Sequence, residues 1–212
     1  MKLALIGGSR EADLLEAALD EAGINVDPSG GIAVVAPHPF DIDLWECAAI
    51  SLENTPHIGL ARAGWQAQAG DHWTKVGSAD EAASHLAKSN SKRALLAVGN
   101  GRLAPFYRLA NIELCIRSRN APHPPMPSHG KVRIMRGPFD VAGEIAEFKT
   151  QGIDALVVHD AGGRGGWPKL GAARALGIQV ILIERPKLPS MEMVETVADA
   201  LAWAKRHMGL DD

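Results

Sequence analysis

Glycine-rich turns that follow short apolar runs are the features of this sequence best suited to bind a ligand. The longest is Asp160-Ala161-Gly162-Gly163-Arg164-Gly165-Gly166, between an apolar run at 155–158 and a helical pattern at 167–176. A second apolar run at 180–183 completes one βαβ unit, which places the turn at the carboxyl edge of a parallel sheet. Glycine admits a ligand close to the backbone, and the N–H groups at a helix start favour a phosphate or carboxylate. We therefore predict an anion site here, although such a turn is also an ordinary tight βα connection.

Two other turns repeat this order of strand, glycine turn and helix. The turn Gly7-Gly8-Ser9-Arg10-Glu11-Ala12 joins a short strand at 3–6 to a helix that Ser9 can cap. It departs from the dinucleotide-binding pattern G-x-G-x-x-G, because its two glycines are adjacent and an alanine replaces the third. The turn Gly99-Asn100-Gly101-Arg102 follows a predicted strand at 94–98 and opens a predicted helix at 103–109. Both turns are further candidates for binding a phosphate.

One histidine lies where a strand is predicted to end at the ligand edge. His38 belongs to Pro37-His38-Pro39-Phe40, directly after a predicted strand at 32–36, and a functional and a structural role are equally open. His123 and His129 flank a proline-rich stretch at 121–127, but they have no carboxylate or thiol nearby. We therefore predict no metal site.

Charge and composition argue against several classes of protein. The chain has 22 basic and 25 acidic residues and a net charge of −3, which gives no general attraction to nucleic acid or to a membrane. An anionic ligand must therefore be held by local arginine and lysine residues. Cys47 and Cys115 lie in no metal motif, and we predict buried thiols in a reducing compartment. The apolar start is interrupted at Gly7, so we predict a first strand, no signal peptide, no membrane span and a cytoplasmic location.

The recurrence of these units predicts the α/β class, with two doubly wound parallel-sheet domains. A chain of 212 residues can hold one large α/β domain or two small ones. We place an N-terminal domain at 1–110 and a C-terminal domain at 111–212. Ligand sites favour domain interfaces, so we expect the carboxyl edges of the two sheets to face one cleft.

The chain resembles the precorrin-6A reductase family, which includes the cobalt-precorrin-6A enzymes, in a series of short motifs along nearly its whole length. Several of the motifs are simply good βα turns, but their order and spacing together are specific. In chain order the matching pieces are Gly7-Gly8-Ser9-Arg10-Glu11-Ala12, Pro37-His38-Pro39-Phe40, Arg62, Trp65, Gly70-Asp71-His72-Trp73, Gly99, Leu103, Phe106, Arg117, Arg136-Gly137-Pro138-Phe139, Gly162-Gly163, Lys169-Leu170, Ala172-Ala173 and Arg185-Pro186.

The resemblance implies two Rossmann-like domains, NADPH as the hydride donor, and reduction of one double bond of a corrin precursor ring by a monomer or weak homodimer. His38 is the candidate proton donor or orienting residue, with His159 and Asp160 as rivals. The residues expected to bind the cofactor are Gly7, Gly8, Ser9, Arg10, Pro37, Gly99, Gly101, Gly162, Gly163 and Lys169. Such a tetrapyrrole substrate carries many carboxylates, and the arginines expected to bind it are Arg62, Arg102, Arg117, Arg136, Arg164 and Arg185.

Two alternatives to this function remain open. Compared with the family pattern, the N-terminal half is shortened between Val26 and Ile32, and hydroxyl groups of the family are replaced at Pro37, at 97–98 and at 160–161. The first alternative is therefore a homologue that binds a tetrapyrrole or nucleotide without reducing it. The second is a short-chain-like oxidoreductase, which is disfavoured because the only tyrosine, Tyr107, has no lysine at the required spacing.

Overall fold

The computed structural model describes residues 2–118, 120 and 129–210. Its six helices are α1 (Arg10–Glu21), α2 (Ile42–Ser51), α3 (Ala79–Lys88), α4 (Val141–Gln151), α5 (Trp167–Leu176) and α6 (Val197–Met208). Its strands are β1 (Leu3–Ile6), β2 (Ile32–Val35), β3 (His57–Leu60), β4 (Trp73–Val76), β5 (Arg93–Ala97), β6 (Glu113–Ser118), β7 (Gly130–Ile134), β8 (Ala155–His159), β9 (Gln179–Ile183) and β10 (Met193–Val194).

The chain divides into two compact units, and the division differs from the predicted boundary at residue 110. The first unit consists of Met1–Ala63 and Pro186–Asp212, and the second of Gly64–Arg185. Residue 110 lies inside the second unit, because β5 and β6, on either side of it, are paired neighbours in one sheet. The C-terminal helix α6 returns to the first unit, where Ala200, Trp203 and Ala204 are buried in its core.

The first unit contains a four-stranded parallel sheet in the order β1-β2-β3-β10. Leu3 pairs with Ile32 of β2 and also forms an isolated parallel bridge with Val26. Since β2 occupies one side of β1, Val26 lies on the other side. The strand that a doubly wound sheet would have after α1 is therefore reduced to this single bridging residue. The chain thus leaves β1 in one direction and returns across it to β2, so the topological switch point lies between β1 and β2.

Helices cover both faces of this first sheet, as expected for a parallel sheet with buried strands. On one face Leu15 and Leu19 of α1 pack with Trp203 of α6. On the other face Trp45 and Ala48 of α2 pack on Val35. Cys47 lies between these two inward positions and is exposed, so the prediction that it is buried was wrong.

The second unit contains a six-stranded parallel sheet in the order β4-β9-β8-β5-β6-β7. From β5 the chain proceeds to β6 and β7 on one side and then returns to β8 and β9 on the other. The switch point of this sheet therefore lies between β5 and β8. Helices α4 and α5 cover one face, where Phe148 and Leu170 are fully buried. Cys115 lies in the same core, and burial raises the pKa of its thiol.

Three elements differ from the sequence prediction. The sequence predicts neither the strand β4 nor the two-residue strand β10. The predicted helix at 103–109 is replaced by two 3₁₀ helices, Asn100–Arg102 and Ala104–Arg108. Pro105 has no N–H to donate to the carbonyl four residues earlier, so the turn at 100–102 cannot continue through it as a regular α-helix. No helix in the described part of the chain is both long and apolar enough to cross a lipid bilayer.

Candidate functional site

In each unit the predicted turns follow the two strands that flank the switch point. In the first unit Gly7–Ser9 follow β1, and Pro37 and His38 follow β2. In the second unit Gly99–Arg102 follow β5, and residues 160–166 follow β8. The crevice at a switch point is the usual ligand position of an open parallel sheet. The glycine turns singled out in the sequence therefore lie at the switch points of the two sheets, and ligand binding there stays a prediction.

The turn of the first unit is fixed by Ser9. Its Oγ accepts a hydrogen bond from the Ala12 N–H (3.2 Å) as the N-cap of α1. The same Oγ donates to the Ala36 carbonyl at 2.7 Å, which joins the turn to the end of β2. Gly8 adopts φ +129°, a conformation that L-residues with side chains rarely adopt. Ser9 is buried and both of these hydrogen bonds go to the protein backbone, so the main role of its hydroxyl is to hold the turn in place.

The charges around this first turn are partly neutralised. Arg62, which follows β3, forms an ion pair with Glu11 in the first turn of α1. Both side chains are largely buried, at 16% exposure each. The guanidinium therefore compensates a carboxylate at a helix N-terminus, where an acidic side chain is itself favourable. Arg10, the neighbouring predicted cofactor ligand, is exposed.

His38 is held in one orientation by its own turn. Its Nδ1 accepts a hydrogen bond from the Phe40 N–H (3.2 Å), and its carbonyl accepts one from the Trp45 Nε1–H (3.2 Å). A ring nitrogen that accepts an N–H carries no proton, so this hydrogen-bond network assigns the proton of the neutral ring to Nε2. The side chain is half-buried. His38 can therefore present an Nε2–H donor while Nδ1 serves the fold.

The glycine-rich turn after β8 requires its glycines and is tied down at several points. Gly162 and Gly163 are consecutive residues with φ +66° and +71°, a pair that residues with a Cβ rarely adopt. The Trp65 backbone N–H donates to Asp160 Oδ1, and its Nε1–H donates to the Gly163 carbonyl, each at 2.9 Å. Arg185 Nε donates to the Asp160 carbonyl at 2.8 Å. Asp160 and Arg185, predicted as a proton donor and a substrate ligand, thus hold this turn in place.

The end of the same turn packs directly on an indole ring. A Cβ added at Gly166 would lie 2.6 Å from Trp65, so only glycine fits there. Lys169 Nζ donates to the Gly166 carbonyl at 2.7 Å and lies 5.5 Å from the centroid of the Trp65 ring. This distance is within the range of a cation–π interaction. The predicted cofactor ligand Lys169 is therefore held beside the start of α5.

The N-terminus of α5 differs from that of the other helices. It has no side-chain cap, no acidic residue in its first turn, and Pro168 among its first residues. Lys169 and the exposed Arg164 add positive charge to the partial charge of the helix start. A phosphate or carboxylate would accept hydrogen bonds from the backbone N–H groups at this helix start and would be attracted by the two cations. The other five helices begin with side-chain caps, which are Ser9, Asp41, Ser78, Asp140 and Thr196.

Five of the six predicted substrate arginines lie along the carboxyl edge of the second sheet, in or just after five different strands. Arg102, Arg136 and Arg164 are exposed. Arg136 Nη2 also donates to Asn120 Oδ1 at 3.3 Å. Arg117 differs, because it forms a 2.5 Å ion pair with Glu144 and the two side chains are only 9% and 4% exposed. Arg117 is therefore part of the interior of the unit, and the three exposed arginines are the accessible cations of this edge.

The contacts of Trp65 are not predictable from the sequence. Trp65 lies between β3 and β4, and the sequence marks it only as part of the resemblance to the family. No periodicity signals its role, because its contacts join residues 95 and 98 positions apart. Among the described residues, no group of three or more histidine, cysteine, aspartate or glutamate side chains could hold a metal ion.

Known proteins with similar sequence and fold identify the family to which this chain belongs. The family model described as precorrin-6x reductase CbiJ/CobK matches residues 7–205. The precorrin-6A reductase of Rhodococcus erythropolis is 38% identical over 174 residues, which cover 80% of this chain and 69% of that protein. The precorrin-6A reductase of Rhodobacter capsulatus is 34% identical over 175 residues, which cover 81% and 69%. A solved structure described as CobK precorrin-6A reductase matches with a TM-score of 0.86 at 28% identity, over 98% of this chain and 97% of that one. The chain therefore belongs to the precorrin-6x reductase CbiJ/CobK family, a family of oxidoreductases of cobalamin biosynthesis.

Proposed function

We propose that the protein is an NADPH-dependent reductase that reduces one ring double bond of precorrin-6A or of its cobalt form. Two relatives that it matches over about 80% of its length are precorrin-6A reductases by name. The observation that carries the cofactor proposal is the uncapped start of α5 behind the turn 160–166, at the switch point of its sheet. Such a helix start favours the pyrophosphate of a dinucleotide.

The turn 160–166 is the stronger of the two candidate phosphate sites. Its helix has no acidic residue in the first turn, whereas Glu11 and Asp13 occupy the first turn of α1. We propose that the backbone of Gly162 and Gly163 and the ammonium of Lys169 hold the phosphates, with Gly99 and Gly101 on the adjacent β5 turn. The second candidate phosphate site is the turn of the first unit, which is formed by Gly7, Gly8, Ser9, Arg10 and Pro37.

The substrate would be recognised through its carboxylates. We propose that Arg102, Arg136 and Arg164 bind them, because all three are exposed at one sheet edge and guanidinium groups pair with carboxylates in a bidentate geometry. Arg62, Arg117 and Arg185 contribute less in this proposal, since their side chains are largely buried, at 16%, 9% and 19% exposure.

Reduction of a double bond adds a hydride to one atom and a proton to its neighbour. When bound, NADPH supplies the hydride, and the protein positions the two partners and supplies the proton. We propose that His38 donates this proton from Nε2, because its Nδ1 is engaged by the Phe40 N–H. Proton transfer from a positioned side chain typically contributes about 10²- to 10⁴-fold to a rate.

The test is NADPH oxidation in the presence of precorrin-6A, followed by absorbance, together with equilibrium binding of each compound. We expect Lys169→Ala to raise the KM for NADPH, Arg136→Ala to raise the KM for precorrin-6A, and both to melt like the wild type. Arg10→Ala tests the second phosphate position in the same assay. Binding of both compounds without turnover would instead support the non-reducing homologue, and absence of NADPH binding would overturn the proposal.

A further inference from the structure

We infer that Trp65 is a positioning residue that holds the turn 160–166 and Lys169 in an anion-binding conformation before any ligand arrives. The inference rests on the proposed function only for the identity of the anion, NADPH. Trp65 is 6% exposed, so it offers a ligand almost no surface of its own. Its effect must therefore pass through the groups that it contacts.

Trp65 fixes the turn at two separate points. Its backbone N–H donates to the Asp160 carboxylate at the beginning of the turn, and its indole N–H donates to the Gly163 carbonyl in the middle. The second point is one of two consecutive glycines, Gly162 and Gly163, that both have positive φ and no side chain to restrict them. Without the indole bond, the Gly163 peptide loses the hydrogen bond that fixes its orientation. Tryptophan thus compensates for the flexibility that the glycines introduce.

The indole ring also determines where the positive charge lies. The ring contacts the backbone at Gly166, where a Cβ would come within 2.6 Å of it. The Lys169 ammonium lies over the same ring, 5.5 Å from its centroid, and donates to the Gly166 carbonyl. One side chain therefore supports both the helix start and the cation of the proposed phosphate site. Such preorganisation lowers the conformational cost of binding.

The test compares Trp65→Phe, which removes the indole N–H but keeps an aromatic face, with Trp65→Leu, which removes both. The matched control is Trp73→Phe in the same unit, which removes an Nε1 without a hydrogen-bond partner among the described residues and keeps an aromatic ring against Trp167. The first readout needs no ligand: amide hydrogen exchange of residues 161–169. We expect faster exchange there in both Trp65 variants and wild-type exchange in Trp73→Phe.

The second readout is steady-state kinetics with NADPH and precorrin-6A. We expect Trp65→Phe to raise the KM for NADPH about 3- to 10-fold with little change in kcat, the size expected for one hydrogen bond. Trp65→Leu should raise it further, and Trp73→Phe should leave it unchanged. If Trp65 only stabilises the fold, Trp65→Phe and Trp73→Phe should lower the melting temperature equally and should have the same KM for NADPH. That result would contradict the positioning role.

The two readouts separate failure of this inference from failure of the proposed function. Wild-type exchange of residues 161–169 in both Trp65 variants would overturn the positioning role, whatever the kinetics. A wild-type protein that neither binds nor oxidises NADPH would overturn the proposed cofactor, while faster exchange in the variants would still support the role of Trp65 in the turn.

Discussion

His38 serves the fold and the proposed reaction through different ring nitrogens. Its Nδ1 accepts the Phe40 N–H and so shapes the turn after β2, while Nε2 carries the proton. We predict that His38→Asn keeps the turn, because the Asn side-chain oxygen can replace Nδ1 as acceptor, but removes the Nε2–H donor. Activity should then fall about 100-fold in kcat with an unchanged KM for NADPH.

The measurement is steady-state kinetics of wild type, His38→Asn and His38→Ala, with melting temperatures for all three. His38→Ala should lose both the turn contact and the activity. If His38→Asn retains wild-type kcat, the histidine is only a turn residue, and the proton comes from another group.

Arginines of similar sequence context differ in what surrounds them. Arg117 is buried with Glu144, whereas Arg136 is exposed after β7. We predict that Arg117→Met lowers the free energy of unfolding by about 3–5 kcal/mol, because it leaves the Glu144 carboxylate buried and unpaired. Arg136→Met should change stability by less than about 0.5 kcal/mol but weaken binding of precorrin-6A.

Urea denaturation and substrate titration of the two variants check this contrast. The double variant Arg117→Met/Glu144→Leu should recover part of the lost stability, because it removes the unpaired charge as well. Equal loss of substrate affinity in Arg117→Met and Arg136→Met, with unchanged stability, would return Arg117 to the list of ligand-binding residues.

At the scale of elements, the sequence determines strands with a continuous apolar run, such as β1, better than strands without one. The bounds of α5 agree with the prediction, because the helix combines apolar spacing with Gly177 just after its last turn, in the left-handed conformation. Helix α4 ends in the same way at Gly152. The strand β4 has only four residues, one of them the exposed Lys75, and lies at the edge of its sheet. Half-buried residues on such a strand leave no continuous apolar signal.

An irregular segment can also be anchored by charge. Asp71 lies in the segment before β4, its side chain is fully buried, and Arg174 of α5 donates two hydrogen bonds to it at 2.9 Å each. Burial alone would raise the pKa of Asp71, but the hydrogen bonds from Arg174 and the Gln68 N–H outweigh it and lower the pKa. This contribution to stability is therefore complete above the ordinary carboxyl pKa of 3.8 and is lost as the pH falls through the lower value of the folded state.

We predict that Asp71→Asn lowers the free energy of unfolding by about 2 kcal/mol at pH 7, as expected for hydrogen bonds to a charged group. The difference from wild type should shrink only below pH 3.8. The control is Asp80→Asn, whose ion pair with Arg108 is mostly exposed and should contribute very little. Urea denaturation between pH 7 and pH 3 measures both, and a difference that shrinks well above that pH would contradict the assignment.

At the scale of the whole molecule, sequence order does not say which sheet a strand joins. The βα units after Gly64 have the same sequence pattern as the units before it, so nothing local marks the point where the second sheet begins. The predicted boundary at residue 110 therefore only divides the repeats into two halves of similar length. The observed division instead depends on long-range pairing, such as β4 with β9 and β10 with β3. The positions of the glycine turns were predictable because strand ends and glycines are local signals. The contacts that support them, above all those of Trp65, were not.

The discontinuous first unit predicts the outcome of truncation. Removing residues 186–212 deletes α6, and with it Trp203 and Ala204 from a core that includes Leu15 and Leu19. The loss of a buried tryptophan alone typically costs about 3–5 kcal/mol, comparable to the stability of a small unit. We therefore expect amide hydrogen exchange of the truncated chain to show loss of protection in β1, β2 and β3, while β5, β8 and β9 remain protected. A division at residue 110 predicts the reverse, since truncation would then expose β8 and β9 and leave β1 to β3 protected.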